Sequence, residues 1–278
     1  MSDRAIAPPQ LIRSSIHPGR DILAAVKPSI SVITATFQCG TDLTRLIASL
    51  RAQSDREFDF LVLDGGSTDS TLEVIASSRD IVTYTRSEPD RGIYDALNKG
   101  IRALRTDYYL VVGADDTLYP EAIARYKATV NATGADIVVA DVKAGTSIRR
   151  GYHPGWAWRG HHRMVTSHSV GMLFKASLHE RFGLYSLRYP LLADGYLIKR
   201  ACTDPQVKTV AGDFVAGEFG VRGSSNQMRL QTACEMWQIQ LATGESPLLQ
   251  FLVFQARVLK LVPRLLKSPA QASNLTSR

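Results

Sequence analysis

Five carboxylates stand out by position. Asp64, Asp90, Asp115, Asp116 and Asp194 each follow a β-rich apolar run or open a helical one. Adjacent acids such as Asp115 and Asp116 suit a hard divalent cation, which takes oxygen ligands and often shares one or two carboxylates with a phosphate. A separate carboxylate at a helix start, such as Asp194, suits removal of a proton from a weakly acidic group. Each acid also has a plainer reading, because Asp is a favoured helix cap and turn residue. The elements that carry the acids decide between the two.

Those elements alternate. The β-branched run Ser29–Phe37 predicts a first strand, and Leu43, Leu46, Ile47 and Leu50 recur at helical spacing behind Thr41 or Asp42 as cap. Phe58–Leu63 predicts a second strand running into Asp64-Gly65-Gly66-Ser67-Thr68-Asp69, where Ser67 or Thr68 can cap the next helix. A third strand is expected over Ile81–Thr85. A helix follows with Asp90 as cap and Ile93, Leu97, Ile101 and Leu104 on one face. The fourth run, Asp107–Val112, is apolar on both faces, as a buried parallel strand would be, and ends at Asp115 and Asp116. Helix over Glu121–Val130 and strand over Ile137–Val142 continue the pattern. The expected fold class is therefore α/β, with a single Rossmann-like, mostly parallel sheet flanked by helices. Ligands of such sheets lie beyond the carboxyl ends of the strands, where the acids fall.

The remaining segments break the alternation. Residues 1–28 carry scattered prolines and read as a mobile extension. Residues 145–170 gather His161, His162, Trp156 and Trp158 in a loop rich in binding groups, with a sugar-stacking platform or a lid as the two uses of the tryptophans. Ser167–Phe174 is expected to return to the sheet, and a helix carries Leu178 and Phe182 before Asp194. From residue 226 the pattern is helical. Phe251, Phe254, Val258, Leu261 and Leu265 share one face, Arg257, Lys260, Arg264 and Lys267 gather on the other, and Pro263 is expected to kink or divide the helix.

The 278 residues and 45% hydrophobic content allow a full core. Three widely spaced cysteines form no metal-ligand set and favour a reducing, cytoplasmic setting. No apolar leader and no membrane-length apolar run is present. A net charge of +7 favours an anionic partner. No RNP-type aromatic motif or KH loop supports nucleic acid. GxGxxG, GxxxxGK[ST] and GxSxG are absent, which removes the dinucleotide, P-loop and α/β-hydrolase readings.

Sugar transfer from a nucleotide donor needs the equipment that remains: a cation on a leaving diphosphate, anchors for base and ribose, and a base for an alcohol. Here the sequence resembles the family 2 glycosyltransferases of GT-A fold, especially those building bacterial surface polysaccharides. The likeness rests on Ser31–Phe37, Leu63–Thr71, Ser87–Ile101 and Gly113-Ala114-Asp115-Asp116, in that order. It covers roughly residues 29–225, followed by a basic helical segment over 226–278. The resemblance implies an inverting transferase that uses Mg²⁺ or Mn²⁺. Thr36 and Phe37 would sit on the donor side, with Phe37 against the base. Asp64 would hold base or ribose, Asp90 and Arg91 would hold the donor near its diphosphate, and Asp115 would touch ribose or sugar. Asp116 would ligate the metal and Asp194 would act as base. His168, Trp156 and Trp158 would face the acceptor or the diphosphate. Gly65 stands where some relatives carry a second acid. The acceptor would be a glycan or a lipid-linked sugar. The C-terminal segment would dock on anionic lipid at the inner face of the plasma membrane, or pack on the catalytic domain or a second subunit as a homo-oligomer. Two rival readings are a non-catalytic nucleotide- or glycan-binding module and a sugar-nucleotide pyrophosphorylase.

Overall fold

The computed structural model describes residues 28–151, 169–220 and 228–265. In chain order the elements are β1 (Ile30–Thr36), α1 (Gly40–Arg51), β2 (Asp59–Asp64), α2 (Thr71–Ala76), β3 (Tyr84–Ser87) and α3 (Ile93–Ala103). Next come β4 (Tyr108–Val111), β5 (Thr117–Leu118), α4 (Ala122–Thr133), β6 (Ile137–Ala144) and β7 (Ser147–Arg149). After a 3-10 turn at Ser169–Gly171 follow β8 (Met172–Lys175), α5 (Leu178–Phe182), α6 (Ala193–Thr203) and β9 (Thr209–Phe219). The chain then forms α7 (Arg229–Ala242) and α8 (Pro247–Leu265).

The strands join one sheet in the order β3-β2-β1-β4-β8-β6-β9-β5, with β7 paired to β6. β1 to β4 run parallel, β8 lies antiparallel between β4 and β6, and β9 is parallel to β6. The period of two along each strand divides the core. Val32, Val62 and Leu110 face α1 and α4, while Ile33, Leu63 and Tyr109 face α3 and α6. Strands covered on both faces must be apolar throughout, as the fourth run is.

Several expectations shift. The third strand starts at Tyr84 rather than Ile81, because the amides of Ile81 and Val82 still bond back to the Ser78 carbonyl and prolong the turn after α2. Asp90 is not the N-cap of α3: that position is Gly92, at φ 107°, whose amide donates to Asp90 Oδ1 at 2.8 Å. Neither Thr41 nor Asp42 caps α1, which begins at Gly40. α8 continues as one helix through Pro263.

The C-terminal helices belong to the body of the molecule. Ile239 of α7 is buried in the same core as Leu197 and Ile198 of α6. Lys199 reaches across to Glu245 at 2.8 Å and to Gln240. On α8, Phe254 turns inward and stacks on Trp237 at 5.1 Å. The outward face carries Leu248 (72% exposed), Leu252 (57%) and Leu259 (70%) beside the exposed Lys260, so apolar side chains stand among the basic ones expected there. Among the described residues no helix is long and apolar enough to cross a membrane.

Candidate functional site

The carboxyl ends of β1, β2, β3 and β4 lie along one edge of the sheet, and the sequence-predicted acids collect there. Asp64 ends β2 and is 2% exposed. Its Oδ1 accepts from Thr36 (3.1 Å) and from the Ser67 hydroxyl (2.6 Å). Its Oδ2 accepts from the amides of Gly66 (3.0 Å) and Ser67 (2.9 Å) and from the Ser87 hydroxyl (2.7 Å). Burial pushes the carboxyl up, but the bonds from Ser67, Ser87 and Thr36 outweigh it and hold the group below the ordinary aspartate value. Asp64 and Thr36, expected on the donor, join the exits of β1, β2 and β3.

Phe37 follows β1 and is 55% exposed, outside the core. Its position depends on Gln38, whose φ of 50° places it in the left-handed region. Gln38 is fixed by its amide to Ser67 Oγ (2.9 Å) and by its side chain to Thr68 and to the Asp69 amide. Sequence reading missed Gln38, Ser67 and Ser87. Only their place beside a strand-end acid could have pointed to them.

The segment Ser87–Ile101 braces itself residue by residue. Lys99 meets Glu88 at 2.8 Å and the Pro89 carbonyl at 3.3 Å, which fixes the loop bearing Asp90. Arg91 is turned to Asp95 at 3.1 Å and is exposed. Gly100 lies flush on the sheet: a Cβ there would stand 2.8 Å from both Ile33 and Leu63. Asn98, buried in α3, exchanges two bonds with the Tyr185 backbone, at 2.8 and 2.9 Å. Tyr94 donates to Asp194 Oδ1 at 2.7 Å.

Asp194 sits in the first turn of α6, and its Oδ1 also accepts from the Gly195 amide at 2.8 Å. Burial raises its pKa above the ordinary value, with the Tyr94 bond pulling the other way, so the carboxylate is a stronger base than a surface aspartate. The approach to α6 is held from α7. Glu235, 4% exposed, accepts from the amides of Leu191 (2.9 Å) and Leu192 (3.0 Å), which otherwise lack helical partners. This contact was not foreseen from sequence.

Beyond β4 the acidic pair divides. Asp116 is 1% exposed, with Oδ2 accepting from the Gly113 amide (2.9 Å) and Oδ1 from Gly220 (2.8 Å). It ties the exit of β4 to the exit of β9, and burial pushes its pKa up to about 7. Asp115 is partly exposed and packs so closely on Gly220 that a Cβ there would collide with its carboxylate. Two hard oxygen donors, one at the surface and one behind it, fit a divalent cation whose sphere a diphosphate completes. No cluster of three or more metal-ligating side chains occurs among the described residues. His161, His162, His168, Trp156 and Trp158 lie outside the described residues.

Comparison with known proteins bears on the family and the fold. Residues 31–186 match the profile described as glycosyl transferase family 2. A PGL/p-HBAD biosynthesis glycosyltransferase of Mycobacterium bovis is 28% identical over 194 residues, spanning 66% of this chain and 73% of that protein. A mannosyltransferase of Pyrobaculum calidifontis, solved with GDP-Man and Mn²⁺, superposes with TM-score 0.62 at 16% identity, covering 86% of this chain and 76% of that one. Glucosyl-3-phosphoglycerate synthase of Mycobacterium tuberculosis, solved with Mn²⁺ and UDP, gives TM-score 0.57 at 15% identity, covering 79% and 81%.

Proposed function

We propose, from the premise that the chain belongs to glycosyl transferase family 2, that it moves a sugar from a nucleotide-sugar donor to a hydroxyl acceptor with inversion. Its architecture is the GT-A fold. What supports the reading is that the Asp115/Asp116 pair and the Asp90 loop follow the carboxyl ends of neighbouring parallel strands, with Asp194 tied by Tyr94 to the helix after that loop. A bound cation would neutralise charge developing on the departing diphosphate. Asp115 presents the accessible oxygens for it, while Asp116, committed to two backbone amides, stiffens the loop behind. Phe37 and the Asp90 loop hold the nucleoside, and Arg91, on its flexible stem, can leave Asp95 for a phosphate. Asp194 takes the proton from the acceptor hydroxyl in a single in-line displacement through an oxocarbenium-like transition state. This reading moves the metal contact expected of Asp116 to Asp115.

The acceptor in this reading belongs to bacterial surface glycan or glycolipid synthesis, in keeping with what the mycobacterial relative is named for. The bare apolar face of α8, in a helix without a single Asp or Glu, supports docking on an anionic membrane that carries a lipid-linked acceptor.

The test is a thermal-shift screen of UDP-, GDP- and dTDP-sugars with and without Mn²⁺, followed by turnover with the best donor. One or more donors should stabilise the protein in a Mn²⁺-dependent way, and Asp115→Ala should remove that dependence. Asp194→Asn should keep the shift while turnover falls by about 10²- to 10⁴-fold. Wild-type turnover in Asp194→Asn would sink the base assignment. Binding without any donor consumption would favour a non-catalytic binding module.

A further inference from the structure

Gly65 follows Asp64 with nothing of its own to offer a ligand, yet the space above it is filled. A Cβ at position 65 would stand 2.7 Å from Asp90 Oδ2 and 3.4 Å from both Asp90 Cγ and Phe37 Cδ2. The Asp90 carboxylate, arriving from the next loop, therefore occupies the volume that a side chain at 65 would take. It lies there beside the edge of an exposed aromatic ring. Its Oδ1 accepts from the Gly92 amide at 2.8 Å, and Oδ2 has no partner among the described residues. The loop is not free to swing away, since Lys99 grips Glu88 and the Pro89 carbonyl on its near side. Asp64 offers the opposite case: it is buried, and its oxygens already take five hydrogen bonds from the chain.

We infer that Asp90, not Asp64, reads the nucleobase of the donor, with Phe37 against the face of the base. The inference rests on the nucleotide-sugar reading above and adds the chemistry of its selectivity. A carboxylate oxygen is an acceptor only, so it pairs with a ring N–H flanked by a carbonyl. Uracil and thymine present that group at N3 and guanine at N1. Cytosine and adenine present a lone pair at the corresponding ring nitrogen, which a carboxylate repels, and offer only the exocyclic amino group beside it as a donor. Closeness to position 65 adds a geometric corollary. An acid moved from 90 to 65 starts its side chain from the spot the Asp90 oxygen now fills, on backbone that is not in the left-handed region.

The experiment measures affinity for UDP, dTDP, GDP, CDP and ADP with Mn²⁺. It uses the full chain, Asp90→Ala, Asp90→Asn and the exchange Gly65→Asp with Asp90→Gly, each checked for folding by its melting curve. The wild type should prefer at least one of UDP, dTDP and GDP over CDP and ADP. Loss of a hydrogen bond to a charged acceptor should weaken that ligand by about 10- to 100-fold in Asp90→Ala and narrow the preference. The exchange should recover most of the loss, which a role in loop folding alone would not produce. If the wild type binds nucleotides but folded Asp90→Ala and Asp90→Asn keep both affinity and preference, the inference is overturned and the transferase reading stands. If the wild type binds no nucleoside diphosphate, the donor reading falls and takes this one with it.

Discussion

The Tyr94 hydroxyl, 2.7 Å from Asp194, tunes the basicity of the carboxylate proposed to take the acceptor's proton. It donates to the charged form and so lowers a pKa that burial has raised. Removing it in Tyr94→Phe should let that pKa climb further. A base must be ionised to act, so turnover falls as pH drops through its pKa, and a higher pKa moves that fall to higher pH. The acid limb of the kcat profile should therefore shift upward in Tyr94→Phe while donor affinity at neutral pH stays near wild type. An unmoved limb would show that Tyr94 only packs. All five acids could be found in the sequence because each lies at or just past a strand end or close to a helix start. Their partners could not: Asp64 is met by Thr36 and Ser87, 28 and 23 residues away, and Asp116 by Gly220, 104 away. Partners so distant along the chain leave no periodic trace, so the bracing contacts of Asp64 and Asp116 could not be read beside their expected roles as ligands.

Among the elements, α6 depends on α7 for its entry. Glu235 supplies a charged acceptor to two amides just ahead of a helix whose dipole favours negative charge at that end. Glu235→Ala should cost roughly 1–3 kcal/mol, seen as a lower melting temperature. It should also reduce kcat more than donor affinity, because Asp194 loses its fixed approach while the base subsite is untouched. Equal losses in both would place the effect in general unfolding. The α/β alternation through β6 was legible, since strands covered on both faces leave long apolar runs and helices leave a 3.6-residue period. The antiparallel insertion of β8 between β4 and β6 was not, because strand direction and neighbour order leave no mark on local composition. Packing of the C-terminal segment on the catalytic body was one of the alternatives the sequence left open, but the contacts that carry it, Glu235 and Lys199 with Glu245, were not legible.

For the molecule as a whole, the chemistry lies along one sheet edge and a bare apolar helix face lies on the C-terminal hairpin. Triple substitution of Leu248, Leu252 and Leu259 by Gln leaves the inward Phe254–Trp237 stack alone. It should abolish flotation with vesicles rich in phosphatidylglycerol without lowering turnover on a water-soluble acceptor. Equal flotation of both proteins would discard the lipid role, and a smaller assembly in solution for the variant would assign the face to a second copy. From sequence the segment read as apolar on one side and basic on the other. The structure instead buries Phe254 on α7 and turns a second apolar set outward, a distinction that needs the neighbouring helix to be known.

Asp90 and Tyr94 stand four positions apart at the head of α3, a helix that Gly100 presses flat against β1 and β2. With the roles proposed above, recognition of the donor base and activation of the acceptor hang from one helix, so a substitution that shifts α3 should disturb both together.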